Sequence, residues 1–128
     1  MSGEVQVNQP AAAAPAEAIQ PINELSVTQL MNQATDLQQA GRLQDCALLY
    51  ENWLSNSDSP HRHIVCFNWG VVLGSLHQHR QAETAYRQAL VLNPAFAQAR
   101  LNLGHQLEHL GQIDAALVQW QQVCDKGE

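Results

Sequence analysis

At 128 residues the chain can build one compact domain or a short solenoid, but not two full domains. Six Lys and Arg against twelve Asp and Glu leave a net charge of −6, which argues against a nucleic-acid partner, since phosphate binding needs clustered cations. Hydrophobic residues make up 45% of the chain, yet no apolar run approaches the roughly 18 residues that a membrane-spanning helix needs.

Residues 1–22 are rich in Ala, Pro and Gln, with Pro10-Ala-Ala-Ala-Ala-Pro15 at their centre. Pro10, Pro15 and Pro21 interrupt any helix the alanines favour, and no apolar stripe is present to dock one. A disordered tail is expected. The N-terminus lacks the positive charge and apolar centre of a signal peptide. Cys46, Cys66 and Cys124 are odd in number, widely spaced and set in helical patterns, without CxxC spacing. They read as reduced small hydrophobes of a cytoplasmic protein rather than a disulfide framework or a zinc site.

The first helix is expected after Ser26, because Ser26-Val-Thr-Gln29 has the spacing of a capping box. Val27, Leu30, Ala34 and Leu37 follow at three- and four-residue steps, which is one face of a helix. Gly41 marks the turn. Leu43, Cys46, Ala47, Tyr50, Trp53 and Leu54 then form the stripe of a second helix. The pair occupies residues 26–59. In the polar stretch before Pro60, Ser59-Pro60 reads as an N-cap followed by proline at the first helical position. A second pair (60–94) is expected as helices near 61–76 and 80–92, and a third (95–125) as helices near 95–109 and 113–125. His77 stands where Gly41 and Gly111 end their helices, a place that favours positive φ.

These pairs repeat one another. Trp69-Gly70, Leu73, Ala82, Tyr86 and Ala89 return 34 residues later as Leu103-Gly104, Leu107, Ala116, Trp120 and Val123. A fixed period in this range marks a stacked-repeat protein. The small residues at 70, 82, 104 and 116 would let paired helices approach closely. Trp69, Tyr86, Phe96 and Trp120 would fill the spaces between neighbours as core.

The pattern resembles the tetratricopeptide repeat (TPR) over roughly residues 26–124. The resemblance implies an all-α fold, a short right-handed α-solenoid of three helix–turn–helix repeats. It also implies that the first helix of each pair, helix A, lines a concave surface on which an extended peptide binds. A second regularity is not demanded by packing. Asn32, Asn68 and Asn102 occupy the same place in every helix A, although asparagine is mildly unfavourable inside a helix. A stack of amides can donate to and accept from a peptide backbone, and it resembles the asparagine ladder of O-linked N-acetylglucosamine transferases. The plainer alternative is that the amides tie neighbouring helices together or face solvent.

On the same face Thr35 follows Asn32, while Gln98, Asn102, His105 and His109 line up on the third helix A. They are expected to select a polar or acidic peptide segment. Val71 takes the matching place in the central repeat and makes the middle less polar. His105 and His109, at i and i+4, could hold a metal with help from His77 and His79, but a solvated histidine face is the favoured reading. No phosphate loop or nucleophile elbow is present. A protein or peptide partner is therefore expected, with no cofactor and no catalysis by this chain alone.

Trp53-Leu-Ser-Asn-Ser57, His63-Ile-Val-Cys-Phe-Asn-Trp-Gly70 and Trp120-Gln-Gln-Val123 together look like the N-terminal repeats of bacterial SPINDLY-type O-linked N-acetylglucosamine transferases. That resemblance implies substrate recognition ahead of a downstream catalytic domain. After the third pair only Asp125-Lys-Gly-Glu128 remains, so no full capping helix covers its outer flank. Further repeats, or pairing of two chains into a homodimer through the last helix, would cover it.

Overall fold

A computed structural model describes residues 25–126; the tail expected at 1–22 lies outside them. Six helices follow one another: α1 (Val27–Gln39), α2 (Leu43–Asn56), α3 (Arg62–Ser75), α4 (His79–Leu92), α5 (Ala97–His109) and α6 (Ile113–Lys126). Each packs on the next, giving an all-α stack of three helix–turn–helix pairs. Among the described residues no helix is long and apolar enough to cross a membrane.

Local sequence accounts for the boundaries. The Ser26 hydroxyl accepts from the Gln29 amide at 3.1 Å, and the Gln29 side chain accepts from the Ser26 amide at 3.0 Å, so two orphan donors of α1 are satisfied reciprocally. Gly41, His77 and Gly111 all have positive φ, at 75°, 62° and 80°. His77 thus adopts the left-handed turn that its place in the repeat demands, at a steric cost that a glycine avoids.

The start of α3 differs from expectation. The Ser59 hydroxyl accepts from the His61 amide at 3.1 Å, as a cap would, but Pro60 and His61 form a turn and α3 begins only at Arg62. The backbone enters through a tight turn, with the Arg62 amide bonded to the Ser59 carbonyl at 3.3 Å and the Ile64 amide to the His61 carbonyl at 3.1 Å. The Arg62 guanidinium donates back to the carbonyls of Leu54 and Ser57, closing the end of α2.

The core runs the length of the stack. Trp53, Tyr50, Tyr86, Leu30, Leu103 and Leu107 are among its largest fully buried side chains. Gly70 lies against the Tyr86 ring so closely that an added Cβ would stand 2.7 Å from it. At Gly104 the corresponding distance to the Trp120 indole nitrogen is 2.1 Å. Both glycines are therefore there for close approach rather than for chain flexibility. Cys46 and Cys66 are buried, as small hydrophobes should be, whereas Cys124 is exposed on α6.

Candidate functional site

Outward positions on α1, α3 and α5 recur at steps of four, three and four residues, which keeps them on one face of each helix. The resulting stripes are Thr28, Asn32, Thr35 and Gln39 on α1; Ile64, Asn68, Val71 and Ser75 on α3; Gln98, Asn102, His105 and His109 on α5. All are exposed except Asn68 and Asn102, which are half-buried. The seven residues expected to meet a peptide therefore sit on helix faces that the pairing leaves open.

Their amides are used differently. Asn32 is exposed on α1. Asn68 Nδ2 donates to the Ile64 carbonyl one turn earlier, at 2.9 Å. Asn102 Nδ2 reaches Tyr86 Oη of α4 at 3.3 Å, and its Oδ1 accepts from Gln98 Nε2 at 3.1 Å. Asn102 thus holds α5 to the preceding helix while keeping an edge toward solvent. An asparagine amide has two donors and two acceptor lone pairs, so these contacts leave capacity for a ligand backbone. Burial raises the Tyr86 pKa, and the hydrogen bond from Asn102 works in the other direction. Tyr86 therefore stays a neutral phenol under Asn102.

The histidines divide into two groups. His105 lies 5.4 Å from Trp120, ring to ring, with its Nδ1 4.0 Å from a Glu108 carboxylate oxygen. His109 instead stacks on His79, with centroids 4.4 Å apart and planes within 5°. His79 Nδ1 donates to Oε1 of the buried Gln106 at 2.7 Å. Gly74 leaves the room for that amide, since a Cβ there would stand 3.0 Å from Gln106 Nε2. Sequence reading brought His79 toward His109 but missed Gln106; the signal was a polar residue on the inward face of α5, next to Leu107.

Stacking counts against a metal. Imidazole lone pairs lie in the ring plane, so two parallel rings face to face cannot both aim at one ion. Among the described residues no group of three His, Cys, Asp or Glu side chains is placed to hold one. Away from the stripes, α2 and α4 flank a cleft of about 250 Å³ bordered by Leu48, Glu51, Trp69, Leu73 and Gln81. The Trp69 indole N–H is buried there without a hydrogen-bond partner among the described residues.

A family model described as a tetratricopeptide repeat matches residues 85–118, a window running from α4 through α5 into α6. No curated protein sequence matches the chain. Solved structures resemble it in fold. A crystal structure of MamA superposes with a TM-score of 0.69 at 17% identity, covering 80% of this chain and 59% of that one. The chain thus spans less than two thirds of MamA. The second TPR of Spaghetti (RPAP3), bound to the HSP90 peptide SRMEEVD, gives 0.70 at 15% identity over 80% of this chain and 92% of that one. The second TPR domain of human RPAP3, in complex with the HSP70 peptide SGPTIEEVD, gives 0.67 at 15% over 73% and 77%. The chain therefore has the fold of tetratricopeptide-repeat domains, and its residues 85–118 match the repeat model.

Proposed function

We propose that the chain is a protein-interaction module that holds an extended peptide against the open faces of α1, α3 and α5. The observation that carries this reading is the asparagine register: three amides at one position of three successive A helices, all with an edge toward solvent. Each hydrogen bond to a peptide backbone contributes about 0.5–1.5 kcal/mol net, so affinity through these alone is weak. The RPAP3 domains of similar fold, solved with HSP90 and HSP70 peptides bound, support such a use of the scaffold. Selection of displayed octapeptides on the wild-type chain should enrich a family of sequences. The Asn32→Ala, Asn68→Ala, Asn102→Ala triple variant should enrich none. Equal enrichment on both proteins would defeat the reading.

A second reading, self-association through α6, is favoured by the exposure of Ile113, Leu117 and Val118, all near half. Sedimentation across a concentration series tests it. A substrate-recognition arm for a glycosyltransferase draws no support from the family or structural matches, and no residue of the face is given a catalytic part.

A further inference from the structure

None of the twelve side chains in the three stripes is Lys, Arg, Asp or Glu. The five arginines, all among the described side chains, are placed elsewhere. Arg42 pairs with Asp45 and Arg87 with Glu83; Arg62 is tied to the carbonyls ending α2. Arg100 donates to the Gln119 and Gln122 side chains of α6 at 2.9 and 2.6 Å. Arg80 lies on α4. The charges that border the face are acidic instead: Glu108 beside His105, and Asp36 next to Thr35.

The middle stripe is also the apolar one. Ile64 and Val71 stand two turns apart, one on either side of Asn68, and both are exposed, at 36% and 39%. Phe67 lies half-buried beside them, held by Phe96 at 5.1 Å and Tyr86 at 5.8 Å between ring centroids. The stripes that precede and follow this apolar one in the chain, on α1 and α5, are polar and without fixed charge. A ligand carboxylate would therefore lose water here and find no cation, while approaching a chain of net charge −6. An aliphatic side chain would find two exposed aliphatic groups to cover.

We infer that the face selects an uncharged extended segment, with amides along its backbone and an aliphatic side chain seated on Ile64 and Val71, and turns away acidic tails. The inference rests on the peptide-binding reading above, and it narrows the expectation of a polar or acidic ligand. The test is the composition of octapeptides selected on the wild-type chain from one library displayed with free C termini and another with the peptide flanked on both sides. The selected pool should be depleted in Asp and Glu, rich in Ile, Leu, Val or Met at one position, and drawn from the flanked library at least as often as from the free one. A synthetic peptide from that pool should bind Val71→Asp about tenfold more weakly, the order expected for losing one apolar contact. A thermal melt verifies that the variant is folded; Val71→Ser, also exposed, repeats the measurement without a charge. Enrichment of acidic or C-terminal carboxylate sequences would overturn the inference and leave the peptide-binding reading standing. No enrichment over the triple asparagine variant would bring both down.

Discussion

At its N-terminal end the stack of described helices is closed. Trp53 of α2 is buried and donates its indole N–H to the Leu25 carbonyl at 2.9 Å, pinning the chain as it enters α1. Leu25, Leu30, Tyr50 and Leu54 are buried around it. The last pair is different. Trp120 of α6 is only half-buried, its indole N–H reaches the Leu101 carbonyl at 3.2 Å, and Ile113, Leu117 and Val118 are left open to solvent. In the repeat register Trp53 stands where Ala89 and Val123 stand in the later pairs. There the large aromatic of α2 closes the first pair on itself, by reaching the residue that precedes α1. The same repeat can therefore be finished from within, by one bulky residue, or left with an apolar face for another surface. That contrast predicts a gradient of mutational cost from the closed end to the open one.

The largest effect is expected at Trp53. Trp53→Ala removes the biggest buried side chain and the indole bond to Leu25, and should cost about 3–5 kcal/mol. Chemical denaturation followed by circular dichroism measures it. A loss below that of an ordinary surface substitution would mean that the N-terminal end is not held as described.

Gly104→Ala probes the contact shared by the second and third pairs. The new methyl would stand 2.1 Å from Trp120 Nε1, so α5 and α6 must separate or the indole must turn. A destabilisation of about 1–3 kcal/mol is expected from overpacking. The contrast with the first pair, where Ala34 already occupies this place and is buried at 1% exposure, sharpens the point: Ala34→Gly should bring no gain from relief of strain.

Much of this was legible in the residues. Gly70 and Gly104 against Tyr86 and Trp120, the capping box at Ser26, and the three turns of positive φ all follow from local rules or from the period, because packing imposes the same demand in every pair. The start of α3 was not legible to the residue, since Ser59-Pro60-His61 closes as a tight turn before the helix proper and local sequence permits either. The Gln106–His79–His109 arrangement was hidden for a similar reason. It needs a gap at Gly74, on a helix that touches neither histidine in sequence. The asparagine register was readable as a regularity, but not the separate partners of Asn68 and Asn102: one amide bonds a carbonyl of its own helix and the other the Tyr86 hydroxyl, a choice of side-chain rotamer that a shared register leaves open.

Alkaline pH offers a probe that acts on the first two pairs and leaves the third untouched. Burial raises the pKa of Tyr50 and Tyr86, and likewise of Cys46 and Cys66. For such groups the folded state keeps its protons at a pH where the unfolded chain has lost them. Their contribution is therefore fully present below the unfolded values and falls as pH rises. Stability should be flat up to about pH 8, decline from there as unfolded thiols ionise, and fall further around pH 10 as unfolded tyrosines do. Urea midpoints at pH 7 and pH 10 measure the decline, and Tyr50→Phe should shrink it. A midpoint that rises with pH across this window would contradict the burial of these four groups.

The smallest change in stability is expected at the open end. Leu117 is 53% exposed, so Leu117→Gln removes little buried surface and should alter unfolding by no more than about 0.5 kcal/mol. Its consequence should appear instead in association. If α6 is a contact between copies, sedimentation of the wild-type chain shows a concentration-dependent mass that Leu117→Gln lowers while its melting temperature at low protein concentration is unchanged. A wild-type mass that stays monomeric across the series removes self-association as the role of this face. A Leu117→Gln variant that unfolds with the severity of Trp53→Ala would show that the end described as open is closed after all, and would remove the contrast between the two ends.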